Sequence, residues 1–342
     1  MKALVCKNGQ ISIQERPYPK LESSKDAIVK VTYSSICTSD LHIIKGFVPR
    51  ANDDIVLGHE FVGEIVETGS DVKLQVGDRV SANCITFCGQ CYFCKRGFIN
   101  NCENGGWELG CRIDGCQAEF VRVPYADMGL TKIPSNVDDK KALFVGDILA
   151  SGYFGVELCG VKNDDSVAVI GAGPVGLCSM HCARLFTDKK IIAVDIDEAR
   201  LNYAKDNGYA DVVVNPQKDD VLEFIKSETF GRGADNVIEA AGTKESFELA
   251  WRIARPNSVV AVVAMYEEPM TLPLPEMYGK NLIFKTGGVD AVHSEKLLEL
   301  ISKGKICTDF LITKEFEFDE IIRAYKCFEN REGNCFKFVI RN

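Results

Sequence analysis

Residues 166–178 read SVAVIGAGPVGLC, and this stretch decides the fold. An apolar run ends in Gly171, Gly173 and Gly176 at G-x-G-x-x-G spacing, and a helical pattern follows. Gly171 permits a tight turn, Gly173 lets the backbone approach a pyrophosphate, and Gly176 lets a helix pack closely on a strand. Pro174 and Val175 complete the loop, whose amides open the next helix and so point at an anion. Asp195 closes the following apolar run, KIIAVD, where an acid accepts hydrogen bonds from ribose hydroxyls. A carboxylate there repels a 2′-phosphate, so NAD(H) is expected over NADP(H). The other reading of Asp195, a helix cap, falls more naturally to Asp197.

Working outward, SVAVIG, KIIAVD, DVVVN, ADNVIEAAG, SVVAVVAMY and NLIFKTGG are strand-like, and most are separated by helical patterns. In DEARLNYAKDNG, for example, Leu201 and Ala204 share a face and Gly208 is a stop signal. Six buried strands alternating with helices specify a doubly wound parallel sheet. The first 145 residues differ. Their short runs AIVKVTY, FVGEIVETG, DRVSANC and AEFVRVP are cut by Gly, Pro and Asp, the mark of a β-rich domain. The tail, a helix and then short strands ending in NCFKFVIRN, is expected to return to that domain. The expected division is 1–148 with 292–342, and 149–291.

At 342 residues the chain has room for two domains, and 46% hydrophobic content suits a buried core. The net charge of −9 is spread along the chain and argues against a nucleic-acid surface, which needs a basic stripe. No run reaches the roughly 18 apolar residues of a membrane span, and the N-terminus lacks an export signal. A cytoplasmic protein without membrane partners is expected. Its 15 cysteines are then metal ligands or small buried hydrophobes rather than disulfides.

Four of them form one set. CGQCYFCKRGFINNC holds Cys88, Cys91, Cys94 and Cys102, spaced C-x2-C-x2-C-x7-C. Four thiolates in one loop can close a tetrahedral shell around Zn²⁺, which makes a structural site rather than a catalytic one. An iron–sulfur cluster also takes four thiolates, but nothing else in the chain speaks for one-electron chemistry. Cys84 and Cys111 lie outside the set. A zinc-ribbon binding module would explain this lobe while leaving the glycine loop and Asp195 idle.

Elsewhere, SICTSDLHIIKG (35–46) crowds Cys37, Thr38, Ser39, Asp40 and His42 together, VLGHEFVGEIVETGSDV brings His59 and Glu60, and LFVGDILASGYFG sets Asp147 before a helix. With these motifs in this order, the chain resembles the zinc-dependent medium-chain alcohol dehydrogenases over essentially its whole length. The zinc signature is GHEFVGEIVETGSDV and the cofactor loop is VAVIGAGPVG. It is most similar to the bacterial secondary-alcohol branch, through CTSDLH, GGWELGCRIDGCQAEFVRVPYADMGLTKIP and the GDI around Asp147.

The resemblance implies an α/β protein with a GroES-like β-rich catalytic domain and a Rossmann cofactor domain. It implies that Cys37, His59 and Asp147 bind a catalytic zinc, with Glu60 as a fourth or exchangeable ligand, giving two zinc ions per chain. Ser39 then touches the alcohol, His42 ends a proton relay and Asp40 orients the loop; the role of Thr38 stays open. Trp107 and Tyr266 become pocket walls with Leu109 and Val289 beside them, and Asp290 disfavours an acidic substrate. The implied reaction is hydride transfer between an alcohol, most simply a secondary one, and NAD(H), by a homotetramer or homodimer. The four-cysteine lobe is shared with the polyol branch, which keeps a sorbitol- or butanediol-type substrate open, as well as a bulky cyclic or steroid-like alcohol. A zinc-free quinone or enoyl reductase would keep the glycine loop without needing Cys37, His59 and Asp147 together.

Overall fold

The computed structural model describes residues 1–332 and 335–342. These fall into two units, Met1–Ala150 with Asp290–Asn342, and Ser151–Val289.

In the first unit the strand Ala27–Ser35 is the organising element. Ala27, Ile28, Val29 and Val31 are all buried, so both of its faces are covered. It pairs antiparallel with Phe61–Thr68, with Phe120–Val123 and with Lys337–Arg341 from the end of the chain. Arg79–Ala82 and Leu130–Lys132 extend the sheet on one side. Ile312–Glu317 extends the other, parallel to Lys337–Arg341. A smaller antiparallel sheet joins Gln10–Glu15, Lys2–Lys7 and Ile55–Val56. One apolar cluster collects Leu4, Ile36, Ile43 and Leu57 together with Ile321, Tyr325 and Phe338. The late helix Ile321–Glu329 therefore docks on the core that also seats the early helix Thr38–Ile44. Its Ile321, Ala324 and Tyr325 recur at helical spacing, which gives it one apolar face.

The second unit is built on six parallel strands, in the order Val212–Val214, Ile191–Val194, Val167–Ile170, Ala234–Glu239, Ala254–Val262 and Ile283–Thr286. Val167–Ile170 and Ile191–Val194 are buried at every position, as expected of parallel strands covered on both faces. The edges depart from the expectation of six buried runs. Ile283 is 52% exposed, because an outermost strand has a neighbour on one side only. Asp197 caps Glu198–Asp206 by accepting from the Ala199 and Arg200 N–H groups, and Thr243 with Ser246 closes a capping box on Lys244–Ile253. The strand order reverses between Val167–Ile170 and Ala234–Glu239, so the carboxyl ends of these strands flank the crevice where such sheets bind ligands. Among the described residues no helix is long and apolar enough to cross a membrane.

Candidate metal centres and cofactor loop

Cys37 is the N-cap of the helix Thr38–Ile44, which starts just after the strand Ala27–Ser35. Asp40 Oδ2 accepts the Cys37 N–H at 2.9 Å and closes the first turn, where a negative charge also suits the helix dipole. The crowding of this stretch follows from the turn. Ser39 Oγ lies 3.2 Å from Cys37 Sγ, and His42, three residues on, shares the Ser39 side of the helix and packs on Phe47.

His59 lies between the strands Ile55–Val56 and Phe61–Thr68. Asp147 immediately precedes the helix Ile148–Cys159. Gly146 allows that approach: a Cβ there would lie 1.7 Å from the Ala82 carbonyl oxygen. The Cys84 N–H donates to the Gly146 carbonyl at 3.1 Å, tying the Asp147 segment to the sheet. As a result His59 Nε2 is 3.4 Å from Asp147 Oδ2, and Cys37 Sγ is 3.6 Å from the same oxygen. One donor atom from each of Cys37, His59 and Asp147 falls within 4.8 Å of the others.

These residues fit a zinc ion. On its other side His59 Nδ1 faces Asp40 Oδ1 at 3.4 Å, and neither buried atom has another hydrogen-bond partner. That is the arrangement of a histidine that gives Nε2 to a metal and aims Nδ1–H at a carboxylate. Burial works against a charge on His59, yet Asp40 and Asp147 raise its pKa well above the ordinary value, so the field here attracts a cation. A thiolate, an imidazole and a carboxylate leave one position of a tetrahedral shell open.

The second set is closed. Cys88, Cys91, Cys94 and Cys102 also bring their sulfurs within 4.8 Å of one another, around the short 3-10 turns Cys94–Arg96 and Ile99–Asn101. Backbone N–H groups donate to these sulfurs: Cys88 and Asn104 to Cys102 Sγ at 3.3 and 3.4 Å, and Cys94 to Cys91 Sγ at 3.5 Å. Burial opposes ionisation of Cys88, but donors from Gln90, Asn104 and Cys91 bring it down to about 6. Burial and its crowded sulfur neighbours push Cys94 up to about 12. Four sulfurs this close ionise together only around a cation, and a tetrathiolate zinc site meets that need.

In the second unit Gly171 turns with φ +98°, and a Cβ on Gly176 would lie 1.7 Å from the Gly171 carbonyl oxygen, so helix and strand touch at that point. Gly173 is the N-cap of Pro174–Ala183, with Pro174 and Val175 in its first turn. Asp195 Oδ2 accepts the Ala172 N–H at 2.6 Å and Oδ1 the Asp197 N–H at 2.8 Å. The acid is thus held against the glycine loop with lone pairs to spare for hydroxyl donors.

A model of the alcohol dehydrogenase GroES-like domain matches residues 23–135, and a model of the zinc-binding dehydrogenase domain matches residues 174–301. An alcohol dehydrogenase of Cupriavidus necator is 34% identical, over 100% of this chain and 98% of its own. An NADP-dependent isopropanol dehydrogenase of Entamoeba histolytica is 33% identical, over 97% and 93%. Among solved structures, zinc-dependent alcohol dehydrogenase 2 from Streptococcus pneumonia matches with TM-score 0.93 and 36% identity over 100% and 98% of the two chains. An alcohol dehydrogenase of Escherichia coli CFT073 in complex with NADH matches with TM-score 0.90 and 30% identity over 100% and 99%. The chain belongs to the zinc-dependent medium-chain alcohol dehydrogenases.

In this alcohol dehydrogenase Glu60, expected as an exchangeable ligand, stands outside the three-donor set. Its Oε2 pairs with the Lys337 ammonium, which also donates to the Ile36 carbonyl at 3.0 Å. Both residues are fully buried. Burial lifts the Glu60 carboxyl to about 7, with Lys337 pulling it back, while Glu60, Cys37 and Asp147 keep Lys337 protonated against its own burial. Sequence reasoning passed over Lys337; the one available signal was a lysine inside the apolar strand CFKFVI.

The remaining candidates divide. Trp107 packs in a T-shaped contact with His59, 5.6 Å between centroids, and carries the Arg50 guanidinium over its ring at 5.4 Å. Leu109, expected near the pocket, is instead a core residue packed with Val29, Val31 and Phe61. Asp290, expected to face substrate, accepts the Asn100 N–H at 2.7 Å and braces the cysteine lobe. Cys84 lies beside Asp147, and burial pushes its thiol well above the usual range. In the second unit Val289 is half-buried, and the Tyr266 hydroxyl donates to Glu239, which also accepts the Ala241 and Gly242 N–H groups. Arg200 was also missed: its guanidinium would lie 3.6 Å from a Cβ on Gly173, a cation beside the phosphate-binding loop.

Proposed function

We propose that this enzyme interconverts a secondary alcohol and its ketone with NAD(H), using a catalytic zinc on Cys37, His59 and Asp147 and a structural zinc on Cys88, Cys91, Cys94 and Cys102. The first unit holds the metals and the substrate; the second binds the cofactor. The reading rests on one observation, an open set of three donors alongside a closed set of four. When bound, zinc supplies Lewis acidity toward the alcohol oxygen, and the nicotinamide ring supplies the hydride acceptor. Ser39 Oγ, next to Cys37 Sγ, relays the hydroxyl proton by accepting it as its own proton passes on, and His42, on the same side of the helix, ends the relay toward solvent. Asp147 and His59 hold the metal while Trp107 offers an apolar wall against His59.

Asp195 supports NAD(H), since a 2′-phosphate would meet its carboxylate. The likeness to an isopropanol dehydrogenase supports a secondary alcohol. The intact four-cysteine lobe favours the second reading, a polyol substrate of the sorbitol or butanediol kind. Exposed apolar residues around the edge strand Ile283–Thr286 support a homo-oligomer, and tetrathiolate chemistry supports a reducing compartment such as the cytoplasm.

The test is elemental analysis together with an NADH and NADPH oxidation panel of ketones, aldehydes, sugars and cyclic ketones. About two zinc ions per chain and fastest turnover of simple ketones with NADH are expected. A metal-free enzyme with full activity would return the zinc-free reductase reading, and best turnover of sugars or diols would select the polyol one.

A further inference from the structure

The carboxylate behind His59 is itself held from behind. Asp40 Oδ2 faces Gln117 Nε2 at 3.5 Å, and the same nitrogen donates to the Ser35 carbonyl at 3.4 Å. Gln117 Oε1 accepts the Tyr325 hydroxyl at 2.8 Å. All four members of the chain Tyr325–Gln117–Asp40–His59 are buried. They come from the late helix Ile321–Glu329, the loop before Phe120–Val123, the helix Thr38–Ile44 and the loop before Phe61–Thr68. The Gln117 backbone is pinned as well: its N–H donates to Leu57 at 2.9 Å and its carbonyl accepts from Leu4 at 2.8 Å.

The chain has one sense. Turning the Gln117 amide over would aim Oε1 at the Asp40 carboxylate and the Ser35 carbonyl, two acceptors in a dry core. With the amide set by these two acceptors, Oε1 is left to accept the Tyr325 hydroxyl, which completes the chain. Gln117 N–H then supports the charge on Asp40 Oδ2 and leaves Oδ1 for His59 Nδ1–H. A leucine at 117 would satisfy the packing equally well, so packing alone gives no reason for an amide at this position.

We propose that Gln117 and Tyr325 are positioning residues for the metal-ligating histidine, acting through Asp40 to fix the ring orientation and tautomer that present Nε2 to zinc. This rests on Cys37, His59 and Asp147 holding the catalytic metal. Residues behind a ligating histidine typically change metal affinity or activity by about 10–100-fold.

The test compares wild type, Tyr325→Phe and Gln117→Leu as zinc-loaded and cobalt-substituted proteins, with Ile321→Val as a control that disturbs the same helix but not the chain. Expected for both variants are release of metal from the open site to excess chelator about 10–100-fold faster and shifted visible bands of cobalt in that site. A lower kcat with unchanged KM for the cofactor should accompany them. The four-thiolate lobe is the internal reference and should not change, and Ile321→Val should lower only the melting temperature. If Gln117→Leu fails to fold, Tyr325→Phe, which deletes one oxygen, carries the test alone. A zinc-bearing wild type whose Tyr325→Phe variant matches it in release rate and cobalt spectrum overturns this inference and leaves the proposed function standing. A wild type with no metal at the open site overturns both.

Discussion

His59 has two nitrogens and two tasks: Nε2 turns toward Cys37 and Asp147, while Nδ1 turns toward Asp40. His59→Ala removes one of three donors, so the open site should empty. Turnover should fall by roughly 10³-fold or more, the loss of several kcal/mol of Lewis-acid stabilisation. NADH binding followed by fluorescence should stay near wild type, since the glycine loop belongs to the other unit. Full ketone reduction by this variant would refute the zinc mechanism. Lys337 invites a stability prediction. Lys337→Met removes the partner that holds the Glu60 carboxyl down, so the buried acid must take up a proton or stay in the core uncompensated, and the variant should lose up to about 3–5 kcal/mol in urea unfolding. Adding Glu60→Leu to it should restore most of that loss, because a matched apolar pair avoids the desolvation of both charges. A double variant as unstable as the single one would place the fault in packing rather than charge.

The cysteine lobe and the glycine loop are elements whose properties are set locally. If the lobe holds the proposed structural zinc, metal binding and local folding there are one process. Cys91→Ser should therefore lower zinc content by about one ion per chain and lower the melting temperature, with activity falling only as the protein loses structure. Wild-type thermal stability with the lobe's zinc gone would contradict this. Asp195 is held against the glycine loop by the Ala172 and Asp197 N–H groups, and the proposed NAD(H) reading sets the ribose beside it. Asp195→Gly should move the NAD(H) to NADP(H) ratio of kcat/KM toward NADP(H) by on the order of tenfold. Equal efficiency with both cofactors in the wild type would count against the role given to Asp195.

For the molecule as a whole, the sheet of the second unit ends in an edge strand, Ile283–Thr286, with its outer backbone groups unpaired by any described strand. Leu274 and Tyr278 beside it in sequence are 64% and 89% exposed. The strand is only four residues long and carries Lys285, so the exposed apolar side chains of Ile283, Leu274 and Tyr278 are the surface that the proposed homo-oligomer is expected to cover. Light scattering at micromolar concentration should give a dimer or tetramer, and Ile283→Lys should weaken it. A clean wild-type monomer would remove this assembly.

The sequence by itself determined what short-range spacing can carry. The strand, the G-x-G-x-x-G turn and Asp195 lie close together along the chain, and so do the four lobe cysteines; the parallel sheet and the four-cysteine cluster were legible there. Cys37, His59 and Asp147 are spread over a long stretch of chain, and only their likeness to family motifs joined them before the fold brought their donors together. Glu60 could be read only as a possible ligand, because Lys337, which holds it, arrives from the last strand. Leu109 was misassigned because burial in the core decides its place, and the brace that Asp290 makes to the Asn100 N–H was hidden because its partner lies far away in sequence. Gln117 and Tyr325 carried no sequence signal at all. An amide in a loop and a phenol on an apolar helix face look ordinary until packing removes water from around them and leaves each polar atom only the partners that the tertiary structure supplies.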